Sequence, residues 1–157
     1  MDAAHLTSWL LAFFHDFLPF IVLTGLALLF SFYFGRDRFS PLIAGLYAAL
    51  ALYSAFPYGS ILTSPYMKIG FYIALTVVGF LAFYGLSFFF ARSSTEFVSQ
   101  LILSILVAGF VLAISLHVLP AQDVYHFTDA TKALFASDQA YFWWLAAPLA
   151  GVFFLGK

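Results

Sequence analysis

A short segment near the carboxyl end of the chain carries the residues best suited to chemistry. Asp123, His126 and Asp129 recur there at intervals of three residues. On an α-helix, residues three apart lie on the same side, so these three side chains would share a face. Carboxylates and imidazoles bind several divalent metals, and imidazole exchanges its proton near neutral pH. The spacing therefore indicates a metal site or a pH-sensitive patch.

Other histidines and aspartates extend this patch. His117 ends the preceding apolar stretch, and His15 and Asp16 come just before the first long one. The predicted metal ligands are His117, Asp123, His126 and Asp129, with His15 and Asp16 near them. The alternative is that polar residues gather wherever a membrane protein meets water, and that this segment is an amphipathic helix at the interface. No compact motif such as His-Glu-x-x-His decides between the two.

The composition predicts which solvent surrounds the patch. Of 157 residues, 64% are hydrophobic and 8% are charged. The mean hydropathy is +1.03. A typical soluble domain is about half apolar and about a quarter charged, and it exposes much of its surface to water. A lipid bilayer is therefore the expected partner. The net charge of −1 offers no basic field for nucleic acid.

Apolar stretches bounded by charges and turn residues predict an all-α fold, a polytopic transmembrane helical bundle of four or five spans in one domain. An N-terminal amphipathic interfacial helix is predicted at 4–16, because its apolar residues recur at helical spacing. The predicted spans are about 17–34, 41–56, 69–91, 97–119 and 139–156, with an outer polar loop at 120–138. The last stretch is short and contains Pro148, so a re-entrant hairpin stays open beside a fifth span.

The basic residues predict an orientation. With five spans, four of them lie on one side and two on the other: Arg36, Arg38, Arg92 and Lys157 against Lys68 and Lys132. Since Lys and Arg collect in cytoplasmic loops, this predicts a multi-pass protein of the plasma (inner) membrane, with the N-terminus outside and the C-terminus cytoplasmic. The histidine and aspartate patch would then face outward.

Several classes of function lack their usual residues. Cysteine is absent, and no nucleophile motif or acid or base in the middle of a span is found, so no enzyme activity and no cofactor are predicted. Small residues recur four apart, for example Gly45 with Ala49 and Gly70 with Ala74, which favours close helix packing within the chain, a homo-oligomer or a larger complex. The sequence therefore predicts a non-enzymatic scaffold or accessory subunit; the alternative is a transport or channel component whose outer entrance is lined by His and Asp.

The layout from Asp16 to Pro120 resembles the colicin V production protein family of small bacterial inner-membrane proteins. The similarity lies in Asp16 before the first span, the turn from Gly35 to Phe39, and a short second span rich in small residues. The resemblance implies a role in an envelope or export complex rather than an enzyme. The turn reads Gly-Arg here, the reverse of the order usual in the family, and the connection before the fourth span, 92–96, also differs from the family's. No functional residue is therefore carried over.

Overall fold

The computed structural model describes residues 11, 14–57, 59–86 and 97–155. The helices with assigned bounds are α1 (Leu18–Phe34), α2 (Phe39–Ser54), α3 (Pro65–Leu86), α4 (Phe97–His117), α5 (Asp129–Phe135) and α6 (Asp138–Leu155). No strand occurs in these ranges, so the predicted all-α class is confirmed for this part of the chain. The predicted helix at 4–16 lies mostly outside the described residues; within it, residues 11 and 14–16 are described and are helical.

The turn between α1 and α2 follows from its residue types. Gly35 has a φ of +84°, a backbone conformation that a glycine adopts without the steric cost of a Cβ atom. Its N–H donates to the Ser31 carbonyl at 2.9 Å and closes α1. The chain then makes a 3-10 turn and enters α2, whose first turn contains Pro41. A tight antiparallel connection results.

Helices α2 and α3 form the most extensive pairwise contact in the described part of the chain. Their backbones meet at two glycines: a Cβ atom on Gly45 would lie 2.6 Å from the Phe80 nitrogen, and one on Gly79 would lie 3.0 Å from the Gly45 Cα. The Tyr72 hydroxyl also donates across this contact to the Leu46 carbonyl at 3.1 Å. The absence of side chains at the crossing therefore allows the two backbones to touch.

Helix α4 lies at the centre and packs against both α1 and α6. Its buried residues include Ser104, Phe110 and Ile114, all with no exposed surface. Phe110 and Ile114 belong to the main hydrophobic cluster, together with Phe39 and Ala49 of α2. By contrast, Tyr72 is the only residue of α3 with a described side chain in the buried part of that cluster. The core therefore surrounds α4, and α3 lies at the edge of the bundle.

The helices run alternately between two ends of the bundle. One end holds Asp16, His117 and Asp138, and is called here the His117 end. At the other, the Arg38 end, the Arg38 guanidinium lies 3.8 Å from the centre of the Tyr84 ring, a cation–π contact between the start of α2 and the last turns of α3. Helices α1, α3 and α6 therefore run away from the His117 end, and α2 and α4 run toward it.

Two of the described helices are long and apolar enough to cross a membrane: Pro65–Gly85 within α3 and Phe97–His117, which is α4. They differ in their surroundings. In an apolar 18-residue stretch of α4, 56% of the residues are buried, whereas in the corresponding stretch of α3 only 11% are. Helices α1 and α2 are apolar but shorter. An apolar helix as exposed as α3 is unfavourable in water.

The glycine crossing makes a testable prediction. In Gly45→Ala, the new methyl group would press on the backbone of Phe80, which cannot rotate away as a side chain could. We expect the free energy of unfolding to fall by about 1–3 kcal/mol, measured by denaturation in detergent micelles. Gly70→Ala is the matched control, because nothing lies within 4 Å of its added methyl group. An equal loss in both variants would contradict the close contact.

Candidate functional site: the His117 end

At the His117 end, α4 stops and α1, α5 and α6 begin. Helix α4 closes when the Val118 and Leu119 N–H groups donate to the Ile114 carbonyl at 2.8 and 3.1 Å. Pro120 cannot donate an N–H to continue the helix. The chain then passes through a 3-10 turn, Ala121–Asp123, to α5. Gln122 ties this turn back to α4 by donating its Nε2 to the Leu116 carbonyl at 3.3 Å.

The three residues singled out by their spacing lie on different local structures. Asp123 ends the 3-10 turn, His126 lies in a stretch without helix, and Asp129 is the first residue of α5. All three are exposed. Residues three apart share a face only when they lie on one helix. No single helix carries these three, so the predicted shared face is not formed in this structure. They form a dispersed polar surface around the end of the bundle.

His117 instead lies beside α6. Its imidazole stacks on the ring of Tyr141, with ring centres 4.1 Å apart and planes 10° from parallel. Its Nε2 is 3.9 Å from an Asp138 carboxylate oxygen, an ion pair only when the imidazole is protonated. The Asp138 side chain is 98% exposed. An exposed pair of this length stabilises little, so the ring stacking contributes more than the ion pair to this contact between α4 and α6.

The backbone of Asp16 is held at the start of α5. Its carbonyl oxygen accepts hydrogen bonds from the Thr128 hydroxyl, at 3.3 Å, and from the Thr131 hydroxyl. Thr131 has no exposed surface, and the Thr128 hydroxyl also caps α5 by accepting from the Thr131 N–H. These bonds fix the segment before α1 against the segment after α4. His15, in contrast, is exposed.

The sequence reasoning missed both threonines. A threonine followed by an acidic residue and a short apolar run is a common start of a helix, and this signal points to Thr128 as the capping residue. Nothing in the sequence indicates that Thr131 bonds to a carbonyl more than a hundred residues away. Such a bond is fixed by the packing of α1 beside α5, which local pattern does not determine.

The two tryptophans after Asp138 have different environments. Trp143 is 69% exposed. Trp144 points inward: its ring occupies the space over Gly109, where a Cβ atom would overlap it. The Trp144 Nε1 donates to the Leu134 carbonyl at 3.1 Å, and its ring stacks on Phe135 with centres 5.0 Å apart. Trp143 therefore faces outward from the bundle, whereas Trp144 joins α4, α5 and α6.

The charged side chains of this end lie on its surface rather than in an enclosed site. Its aspartates and His126 are spread over separate elements, and no group of three or more His, Asp or Glu residues with metal-binding geometry occurs in the part of the chain that the structure describes. The predicted site of His117, Asp123, His126 and Asp129 stays a prediction. What the described geometry supports directly is a polar, partly acidic rim over an apolar bundle.

Comparisons with known proteins give no relative from which to transfer a function. No family model matches the chain, and neither a curated protein nor a solved structure is significantly similar to it.

The metal hypothesis makes its own prediction. If the histidine and aspartate patch holds a metal, the purified protein carries Zn, Cu or Fe in stoichiometric amount, and His126→Ala or Asp123→Ala lowers that amount at least several-fold, because each removes a ligand. Metal analysis by plasma mass spectrometry measures this. Asp37→Asn, at the Arg38 end, is the control and leaves the metal content unchanged. Protein without stoichiometric metal would dispose of the hypothesis.

Proposed function

We propose that this chain is a small, non-enzymatic integral membrane protein that acts as a scaffold or accessory subunit of an envelope or export complex. The single observation that carries the proposal is the exposure of α3. This apolar helix is long enough to cross a membrane, and only 11% of the residues in its apolar 18-residue stretch are buried. Lipid and a partner helix are the two surroundings that suit such a surface.

Exposed aromatic residues support the membrane setting. Tyr66, at the start of α3, is 71% exposed, and Tyr84, near its end, is 39% exposed. Eighteen residues of helix separate them, or about 27 Å. The hydrocarbon core of a bilayer is about 30 Å thick, and Tyr and Trp favour its two borders. Trp143 at the His117 end and Tyr33 at the Arg38 end are also well exposed.

The proposed topology has five spans: α1, α2, α3, α4 and α6. Helices α1, α2 and α6 have 17, 16 and 18 residues, which is short for a span. A short span is accommodated by local thinning of the bilayer or by flanking side chains that reach its border. The basic residues of the turn between α1 and α2 assign the Arg38 end to the cytoplasm. The N-terminus and the His117 end then face outward in the plasma (inner) membrane, with the C-terminus inside.

The packing of the small residues favours a partner for α3. Gly45, Gly109 and Gly151 meet other residues of this chain, and their role is internal. At Gly70 and Gly85 of α3, a Cβ atom would have nothing within 4 Å, and Ala74 between them is exposed. Small residues on an outer face let another helix approach closely, so α3 is the proposed contact with a second copy or a larger membrane protein.

The interior favours a scaffold over an ion-coupled transporter. The buried polar side chains among the described residues are hydroxyls only: Ser31, Ser99, Ser104 and Thr131. Transporters that couple to ions or protons commonly place an acid or base inside the bundle. Membership of the colicin V production protein family stays a proposal that rests on the layout of the first two spans and their tight turn.

The topology is testable because the chain has no cysteine. A single cysteine can replace Ser60, in the loop between α2 and α3, or Ser40, at the start of α2; both serines are exposed. We expect a membrane-impermeant maleimide added to whole cells with a permeable outer envelope to label Ser60→Cys, and to label Ser40→Cys only after lysis. The reverse result would invert the orientation. Equal labelling of both variants before lysis would contradict their placement on opposite sides of the membrane.

The scaffold role predicts a larger assembly. Extraction in a mild detergent, followed by mass spectrometry of intact complexes, should yield this chain together with other copies or a partner. Ala74→Phe places a large ring on the outer face of α3, and we expect at least a ten-fold loss of the complex, equivalent to about 1.4 kcal/mol. Leu26→Phe, on an exposed position of α1, is the control and keeps it. A stable lone species from wild type would count against the role.

A further inference from the structure

The helices divide into two units by how closely they pack. In the described part of the chain, α2 and α3 have their most extensive contact with each other, and α4 has its most extensive contacts with α1 and α6. A glycine allows close approach inside each unit: Gly45 meets the backbone of Phe80, and Gly109 lies under the ring of Trp144. We call the first unit the α2–α3 hairpin and the second, which also includes α5, the α4 group.

The boundary between the two units is formed by side chains. The Tyr47 ring of α2 lies beside Phe110 of α4, with ring centres 4.6 Å apart. Nearer the Arg38 end, the Phe30 ring of α1 meets Phe80 of α3 edge to face, with centres 5.8 Å apart. No described glycine brings the backbones of the two units together. The boundary therefore lacks the close backbone contact that each unit has inside it.

One side-chain hydrogen bond crosses this boundary in the part of the chain that the structure describes. The Tyr47 hydroxyl of α2 donates to the Leu145 carbonyl of α6. Because Tyr47 is partly buried, little water is available to replace this bond when it breaks. The comparable bond of Tyr72, from its hydroxyl to the Leu46 carbonyl, lies within the hairpin.

The chain enters the hairpin through a residue that is not packed against a neighbour. Gly35 has a φ of +84°, and a Cβ atom there would have nothing within 4 Å. Hinges in proteins are a few residues at the ends of helices or in loops that absorb changes in φ and ψ, and they are often small. Gly35 has these properties and lies directly after α1.

From this division we infer that the α2–α3 hairpin separates from the α4 group as one cooperative unit, with Gly35 as its hinge and the Tyr47 hydroxyl as the catch that holds the two units together. Proteins open locally in such units at a lower free energy than global unfolding. The exposed outer face of α3 belongs to the hairpin, so a partner bound there would move with it. The inference concerns the chain alone and does not depend on the proposed scaffold role.

The absence of native cysteine makes the separation measurable, because one introduced thiol reports the opening of one buried site. Val107→Cys reports the boundary, since Val107 lies one turn before Phe110 and in the same buried cluster as Ile43 of α2. Ser31→Cys reports the α4 group: Ser31 is buried on α1, and its hydroxyl has no hydrogen-bond partner among the described residues. Mass spectrometry gives the rate of modification by N-ethylmaleimide for the full chain in mild detergent, divided by the rate for the denatured chain.

We expect Val107→Cys to react at least about ten-fold faster than Ser31→Cys. Tyr47→Phe removes the hydroxyl and keeps the ring. It should accelerate the reaction of Val107→Cys about five-fold, the effect of one hydrogen bond, and leave that of Ser31→Cys unchanged. Tyr72→Phe is the matched control, because the bond that it removes lies within the hairpin, and it should leave both rates unchanged.

Equal protection of the two cysteines would mean that the bundle opens as a whole and would overturn the inference. The same holds if Tyr47→Phe accelerates both reactions equally or neither, or if Tyr72→Phe accelerates the reaction of Val107→Cys as much as Tyr47→Phe does. The assay measures the chain without a partner, so its result is independent of whether intact complexes are found.

Discussion

Close approach between helices at positions without a side chain is the constraint on which the rest of the structure depends. The chain has few polar groups to direct its packing, and apolar faces alone do not distinguish one neighbour from another. Gly45 against Gly79 fixes how α2 meets α3, and Gly109 accepts the ring of Trp144 and so fixes how α4 meets α6. Shape complementarity at these points, rather than hydrophobicity, selects the arrangement of helices.

A few directed hydrogen bonds then fix the ends and the irregular places. Pro148 lies inside α6 and removes one helical N–H, and the Tyr47 hydroxyl of α2 donates to the Leu145 carbonyl in the turn before it. At the His117 end, Thr131 holds the Asp16 carbonyl. Each bond is buried or partly buried among apolar groups, where an unmade bond is costly. These two bonds join elements that are distant in the chain.

The surface divides into regions with different chemistry. The outer face of α3 is apolar and includes the small residues Gly70, Ala74 and Gly85, the His117 end is polar and partly acidic, and at the Arg38 end Arg38 lies over the ring of Tyr84. This pattern is compatible with the proposed membrane setting. Packing in the interior leaves hydroxyls as its only buried polar side chains among the described residues.

The sequence by itself determined the helical class, since apolar runs separated by Gly35, Pro65 and Pro120 leave little choice of structure. It also placed the polar residues at the ends of helices. It could not determine that His117 stacks on Tyr141, nor that Trp144 turns inward while Trp143 does not. Neighbouring aromatic residues look alike in a local pattern. Which of them is buried depends on where Gly109 leaves space on a different helix, and only the tertiary structure decides that.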